Sequence, residues 1–193
     1  MGWAITGAFA GAAGTSALNL VTYSDMLWRG RGASAVPAQV AGRLAQAARL
    51  PLRRPGEDDE RVSNRRSSLG SLLGYAVGIG LGTLYGVVRG RRDVSLAVAA
   101  LALGASAMVL SDAPATAMKV TDPRRWGASG WAADVVPHLA YGLVTAGALE
   151  LLGRPRLETR RRHAARRLRS GAGRALRDGR REWERWADAL GFA

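Results

Sequence analysis

Charged side chains are absent from four long stretches of the chain. Residues 3–24 and 67–88 are uncharged over 22 residues each, and residues 94–111 over 18. Residues 135–149 give 15 more, with only His138 able to titrate. Widened to 131–152, the last stretch admits Asp134 near one end and Glu150 near the other. A spanning helix needs about 20 mostly apolar residues, at about 1.5 Å each, to cross about 30 Å of hydrocarbon. A helix at the surface of a soluble bundle would instead carry charge on its outer face at every turn. The pattern predicts an all-α integral membrane four-helix bundle with spans at 3–24, 67–88, 94–111 and 131–152. A short helix is expected within 34–50, ended by Pro51 and Pro55, and a charged, mobile loop over 55–66.

Aromatic residues mark the ends of these stretches. Trp3 opens the first, Tyr23 and Trp28 close it, and Trp126 and Trp131 precede the fourth. Indoles prefer the headgroup level, so these ends read as interfaces. The first stretch is expected to be retained rather than cleaved as a secretory signal, because it lacks a basic leading region and is long for a signal core. Met1, Gly2 and Thr6 match a myristoylation pattern, but Gly2 would itself be entering a span, so that reading is set aside.

Glycine adds the most specific signal. Gly70, Gly74, Gly78, Gly82, Gly86 and Gly90 recur at every fourth position through the second span. Residues four apart share a helix face, so the ladder predicts a zipper-like groove for close helix contact. Glycine costs a helix about 1 kcal/mol relative to alanine, which implies a compensating partner. Gly7, Gly11 and Gly14 offer one in the first span, Ala97, Ala100 and Gly104 another in the third, and a second copy of the chain a third. Gly78, Gly80 and Gly82 do not make a nucleotide fingerprint, since that motif needs a preceding strand and an aqueous phosphate.

Composition then narrows the chemistry. The 193 residues carry a net charge of +13, from 28 basic against 15 acidic residues, and Lys119 is the only lysine. With no cysteine, a disulfide scaffold, a thiolate metal site and a cysteine nucleophile are excluded, and two histidines supply a metal centre poorly. No cofactor and no catalytic constellation are expected. Four spans place both termini on one side, with 16 basic residues against 12 opposite, including the short Arg89, Arg91 and Arg92 turn. The positive-inside rule therefore favours cytoplasmic termini, although nine arginines lie in the long first loop.

Asp25, Asp112, Asp134 and His138 all fall toward the opposite interface. Ionisable groups near a membrane are expensive and mark candidate sites. Asp134 and His138, four apart on one helix face around Pro137, could form a proton- or cation-handling site with Asp25 and Asp112 as neighbours. The structural alternative places Asp134 in the first turn of its helix, facing the dipole, and His138 as a packing residue.

Residues 1–153 form the expected membrane domain and 154–193 a basic tail. There Arg160, Arg161, Arg162, Arg166, Arg167 and Arg169 lie among apolar positions that include Trp183 and Trp186. A basic amphipathic helix of this kind suits anionic lipid. A protein partner is a second choice, and no nucleic acid is expected.

Two stretches carry a resemblance: residues 22–31 (TYSDMLWRGR), followed by the helix at 34–44, and residues 121–126 (TDPRRW) with 134–142 (DVVPHLAYG). They resemble uncharacterised small membrane proteins of actinobacteria. More broadly, four spans with a histidine in the last resemble the YagU-type inner-membrane family. The resemblance covers residues 1–153 and implies a bacterial inner-membrane location, not a reaction. The expected function is a non-enzymatic packing or assembly subunit of a membrane complex, possessing anionic lipid, a second copy or a membrane protein as partner. A small proton-coupled transporter or conduit using Asp134 and His138 is the alternative.

Overall fold

The computed structural model describes residues 2–189, with side chains beyond residue 153 described only for Thr159 and for 178–183. Contacts divide the chain into two units, Met1–Leu152 and Gly153–Ala193. The first unit contains α1 (Trp3–Arg29), α2 (Val36–Ala47), α3 (Asp59–Arg91), α4 (Leu96–Ala117) and the opening portion of α5 (Ala128–Ala189). Four segments are long and apolar enough to cross a membrane: Trp3–Arg29, Asp59–Arg91, Leu96–Ala117 and Ala128–Gly153. They pack as an all-helical four-helix bundle, the mark of a multi-pass membrane protein. Its outer surface keeps large apolar side chains exposed on each of the four helices, among them Phe9, Leu72, Leu101 and Leu143. Such a surface is stable only against lipid or another apolar body.

Local chemistry sets the helix ends. The Asp58 carboxylate caps α3 by accepting from the Arg61 N–H at 2.8 Å, and Asp59 and Glu60 follow in its first turn, favourable for the helix dipole. Ser95 caps α4. Gly30 closes α1 in the left-handed region, where glycine carries no Cβ penalty. α4 closes with Lys119 in that region (φ 55°), its N–H bonding to Thr116 O while the Val120 N–H reaches Ala115 O at 2.8 Å. This is the paired-bond pattern of a Schellman cap, with a cation where glycine is usual. Arg49 closes α2 in the same way.

The segment expected to be a mobile loop is corrected: residues 59–66 are the first two turns of α3. Glu57 anchors them. Its carboxylate pairs with both Arg65 guanidinium nitrogens and accepts from the Arg54 N–H, while Arg53 pairs with Asp59. The hydrogen bond from Arg65, opposed by partial desolvation and assisted by the Arg54 N–H, holds the Glu57 carboxyl at about 2, against an ordinary 4.5. Because the folded value is the lower one, the stabilisation is present above pH 4.5 and is lost as pH falls through about 2. Hydrogen exchange should show the first turn of α3 losing protection across that window. In Glu57→Gln the protection should be low and independent of pH throughout it.

The glycine ladder divides among several neighbours. A Cβ on Gly7 would land on the Gly82 carbonyl, and one on Gly86 would lie 2.9 Å from the Gly7 Cα. A Cβ on Gly11 would meet the Gly78 carbonyl and lie 3.1 Å from the Gly82 Cα. So α1 and α3 touch backbone to backbone along this crossing. Gly90 instead receives the Trp3 ring, and Gly70 lies under α2, where a Cβ would be 2.8 Å from Pro37 O. Gly74 has nothing within 4 Å. Gly14 faces Tyr141 and Thr145 of α5, and Gly142 of α5 faces Ala100 and Gly104 of α4. The small residues of α4 thus serve α5 rather than the ladder, and Ala97 is exposed. Tyr141 stands at the centre of the bundle, buried, donating its hydroxyl to Gly78 O at 2.7 Å.

Candidate functional site

Three of the four acidic and histidine candidates converge. Asp112 and Ser111 lie on α4, and Asp134 and His138 on α5. His138 Nδ1 is 2.8 Å from Asp134 O and 3.5 Å from Asp134 Oδ1. A carbonyl only accepts, so Nδ1 carries the proton in that contact. Nε2 then points toward Ser111 Oγ at 3.4 Å, and that hydroxyl also lies 3.3 Å from Asp112 Oδ1. Asp134 Oδ2 is buried without a hydrogen-bond partner. The imidazole lies between two carboxyls, meeting Asp134 directly and Asp112 through the Ser111 hydroxyl, whose shortest hydrogen bond is to Met108 O at 2.9 Å; such a chain can relay a proton. Among the described residues, no cluster of three or more His, Cys, Asp or Glu side chains is arranged to hold a metal ion.

The helix start changes the reading of Asp134. α5 begins at Ala128, so Asp134 is nearly two turns inside the helix and beyond reach of first-turn dipole stabilisation. Pro137, one residue before His138, withholds an N–H from the ladder, as Pro114 does in α4 just beyond Asp112. The missing donors of these two prolines flank the polar group, loosening backbone bonding where the acids sit.

Asp25 stands apart from this cluster. It pairs with Arg29 at 3.1 Å and with Arg31 at 2.6 Å, near the end of its own helix. Arg29 also reaches Ser129 O of α5 at 3.4 Å.

A second polar group was not legible in the sequence. Arg89 reads there as one of three cations in an aqueous turn. It is only 4% exposed, with Nε 2.6 Å from Glu150 Oε1 and Nη1 2.7 Å from Asp93 Oδ1. It ties α3 to α5 at the end of the bundle opposite the Asp134 cluster. The buried hydroxyl of Tyr85, one helical turn earlier, has no hydrogen-bond partner. The available signal was the spacing of four between Arg89 and Asp93, together with an acid, Glu150, at the end of an apolar run.

In the tail, Trp183 is 71% exposed, and residues 178–183 are all exposed. The side chains of Arg160, Arg161, Arg162, Arg166, Arg167, Arg169 and Trp186 lie outside the described residues. No family model, curated protein or solved structure matches this chain.

Proposed function

We propose that this protein is a non-enzymatic packing or assembly subunit of a membrane complex, held in a bacterial inner membrane with both termini in the cytoplasm. The α1–α3 crossing carries the reading. Where backbones meet at Gly7, Gly11, Gly82 and Gly86 there is no room for a file of water, so this crossing joins helices rather than conducting solute. Gly74 is the one uncovered rung in an otherwise occupied ladder, lying between the parts of α3 that α1 and α2 cover. Beside it Leu72 and Tyr75 are exposed, which offers a neighbouring helix a close approach. The tail of 13 arginines would add attraction to anionic lipid on the cytoplasmic side.

The absence of native cysteine makes the test direct. Gly74→Cys, oxidised in intact membranes, should form a disulfide-linked adduct with a second copy or capture a cysteine-bearing neighbour. Monomer alone from Gly74→Cys would overturn the assembly reading. The convergence of Asp112, Asp134 and His138 favours a second reading, proton-coupled transport. It requires proteoliposomes to carry a proton flux that Asp134→Asn with His138→Ala abolishes. Retained assembly with no such flux supports the first reading.

A further inference from the structure

The turn between α4 and α5 forms an open cleft of about 720 Å³, lined by Lys119, Arg124 and Arg125 and walled by Thr116, Pro123 and Trp126. Several other cations at this end of the bundle are engaged: Arg29 and Arg31 with Asp25, Arg43 with Met118 O, Arg65 with Glu57. The side chains of Lys119, Arg124 and Arg125 form no ion pair among the described residues. The single acid lining the cleft, Asp122, accepts from the Arg124 N–H at 3.1 Å, which leaves a local charge of about +2.

The turn is held open by its own bonds. Trp126 donates its indole N–H to Thr121 Oγ1 at 2.9 Å and stacks edge-on against Trp131 at 5.2 Å between centroids. Asp122 caps a 3-10 turn at Pro123–Arg125, and both of its arginines line the cleft. Lys119 occupies the left-handed position that ends α4, a conformation rarely adopted by a residue other than glycine.

The same three walls, Thr116, Pro123 and Trp126, belong to a second cleft of about 510 Å³. Its exposed surface is almost wholly apolar, although Asp112 belongs to its lining. It runs along α4 past Ala113 and Val109 to Met108, with Trp131 across from them. Met108 lies nine residues before Ala117, about 13 Å down the helix at 1.5 Å per residue. That is close to the depth of one leaflet of hydrocarbon, about 15 Å.

We infer that the two clefts form one site for a single anionic phospholipid. The phosphate sits among Lys119, Arg124 and Arg125, and one acyl chain lies in the groove of Val109, Ala113 and Trp131. A soluble anion would use the cationic chamber and leave the groove empty; a neutral lipid would use only the groove. A cationic chamber that opens at headgroup level onto a groove one leaflet deep matches both ends of one molecule. The inference rests on the membrane-spanning reading, not on the assembly role.

Native mass spectrometry of the full chain tests it. The protein is equilibrated in micelles with equal phosphatidylglycerol and phosphatidylcholine, and the lipid that survives collisional release is counted. One retained phosphatidylglycerol is expected. Lys119→Gln, Arg124→Gln and Arg125→Gln should each reduce its occupancy about fivefold, the effect of removing one charge near a phosphate. Ala113→Trp, at an exposed position, should fill the groove and also remove the lipid. Replacing Arg160, Arg161 and Arg162 with Gln should leave the retained lipid in place. Loss that follows the tail variant and not the loop variants would overturn the site. So would displacement by millimolar inorganic phosphate with Ala113→Trp without effect, since that marks a free-anion site. Recovery of the chain in the supernatant without detergent would refute the membrane reading itself, separately from the lipid count.

Discussion

Gly82→Ala should be, with Gly86→Ala, among the most destabilising single methyl additions along α3. The new Cβ would lie 2.5 Å from both Gly7 O and Gly11 Cα and 2.6 Å from Gly11 N. All three are backbone atoms, so no rotamer change relieves the clash. α1 must move away, and the close approaches of Gly7 to Gly86 and Gly11 to Gly78 are lost with it. Dispersion contact falls steeply with separation, and lipid tails cannot fill a gap of part of an ångström. A cost of about 3 kcal/mol is expected, at the upper end for an overpacked core. Thermal unfolding in detergent should register it as a fall in Tm of about 6–12 °C. Gly80→Ala is the control. It lies on the same helix with nothing within 4 Å, so it should be neutral or stabilising by up to about 1 kcal/mol. Equal effects from the two substitutions would refute the backbone-contact account.

Glu150→Leu should cost about 3 kcal/mol, because it leaves a buried guanidinium with only the exposed Asp93 and the Arg92 carbonyl as partners. Arg89→Met should also be destabilising, since it leaves the partly buried Glu150 unpaired beside the unpartnered Tyr85 hydroxyl. The double variant Arg89→Met with Glu150→Leu should recover to within about 1 kcal/mol of the parent, since an apolar pair of similar volume carries no desolvation penalty. A double-mutant cycle by thermal unfolding reads the coupling. Strictly additive losses would show that the two side chains do not act as a pair. Arg89→Lys should not substitute, because one ammonium cannot present the guanidinium's fork to Glu150 and Asp93 together.

The contrast between these two sites explains what was legible. The glycine spacing is a property of one helix, so the groove can be read from residues four apart. Which neighbour fills each rung depends on where α1, α2 and α5 lie, and no local spacing encodes that. Gly70, Gly74 and Gly82 are equivalent in the pattern, yet one meets Pro37, one meets nothing and one meets Gly7 and Gly11. The polar candidates divide in the same way. Asp112, Asp134 and His138 come together because α4 and α5 are antiparallel neighbours, whereas Asp25 is satisfied by Arg29 and Arg31 close by in its own segment.

Four uncharged runs near the length of a spanning helix point by themselves to a helical, multi-pass membrane protein, because a run of about 20 apolar residues crosses hydrocarbon as a helix with all its backbone hydrogen bonds internal. Pairing is different. Packing energy depends on which side chains are absent from both surfaces at the point of contact, so only the tertiary structure decided that α1 lies against α3 on glycine. It alone buried Arg89 against Glu150 and opened a cationic cleft onto an apolar groove.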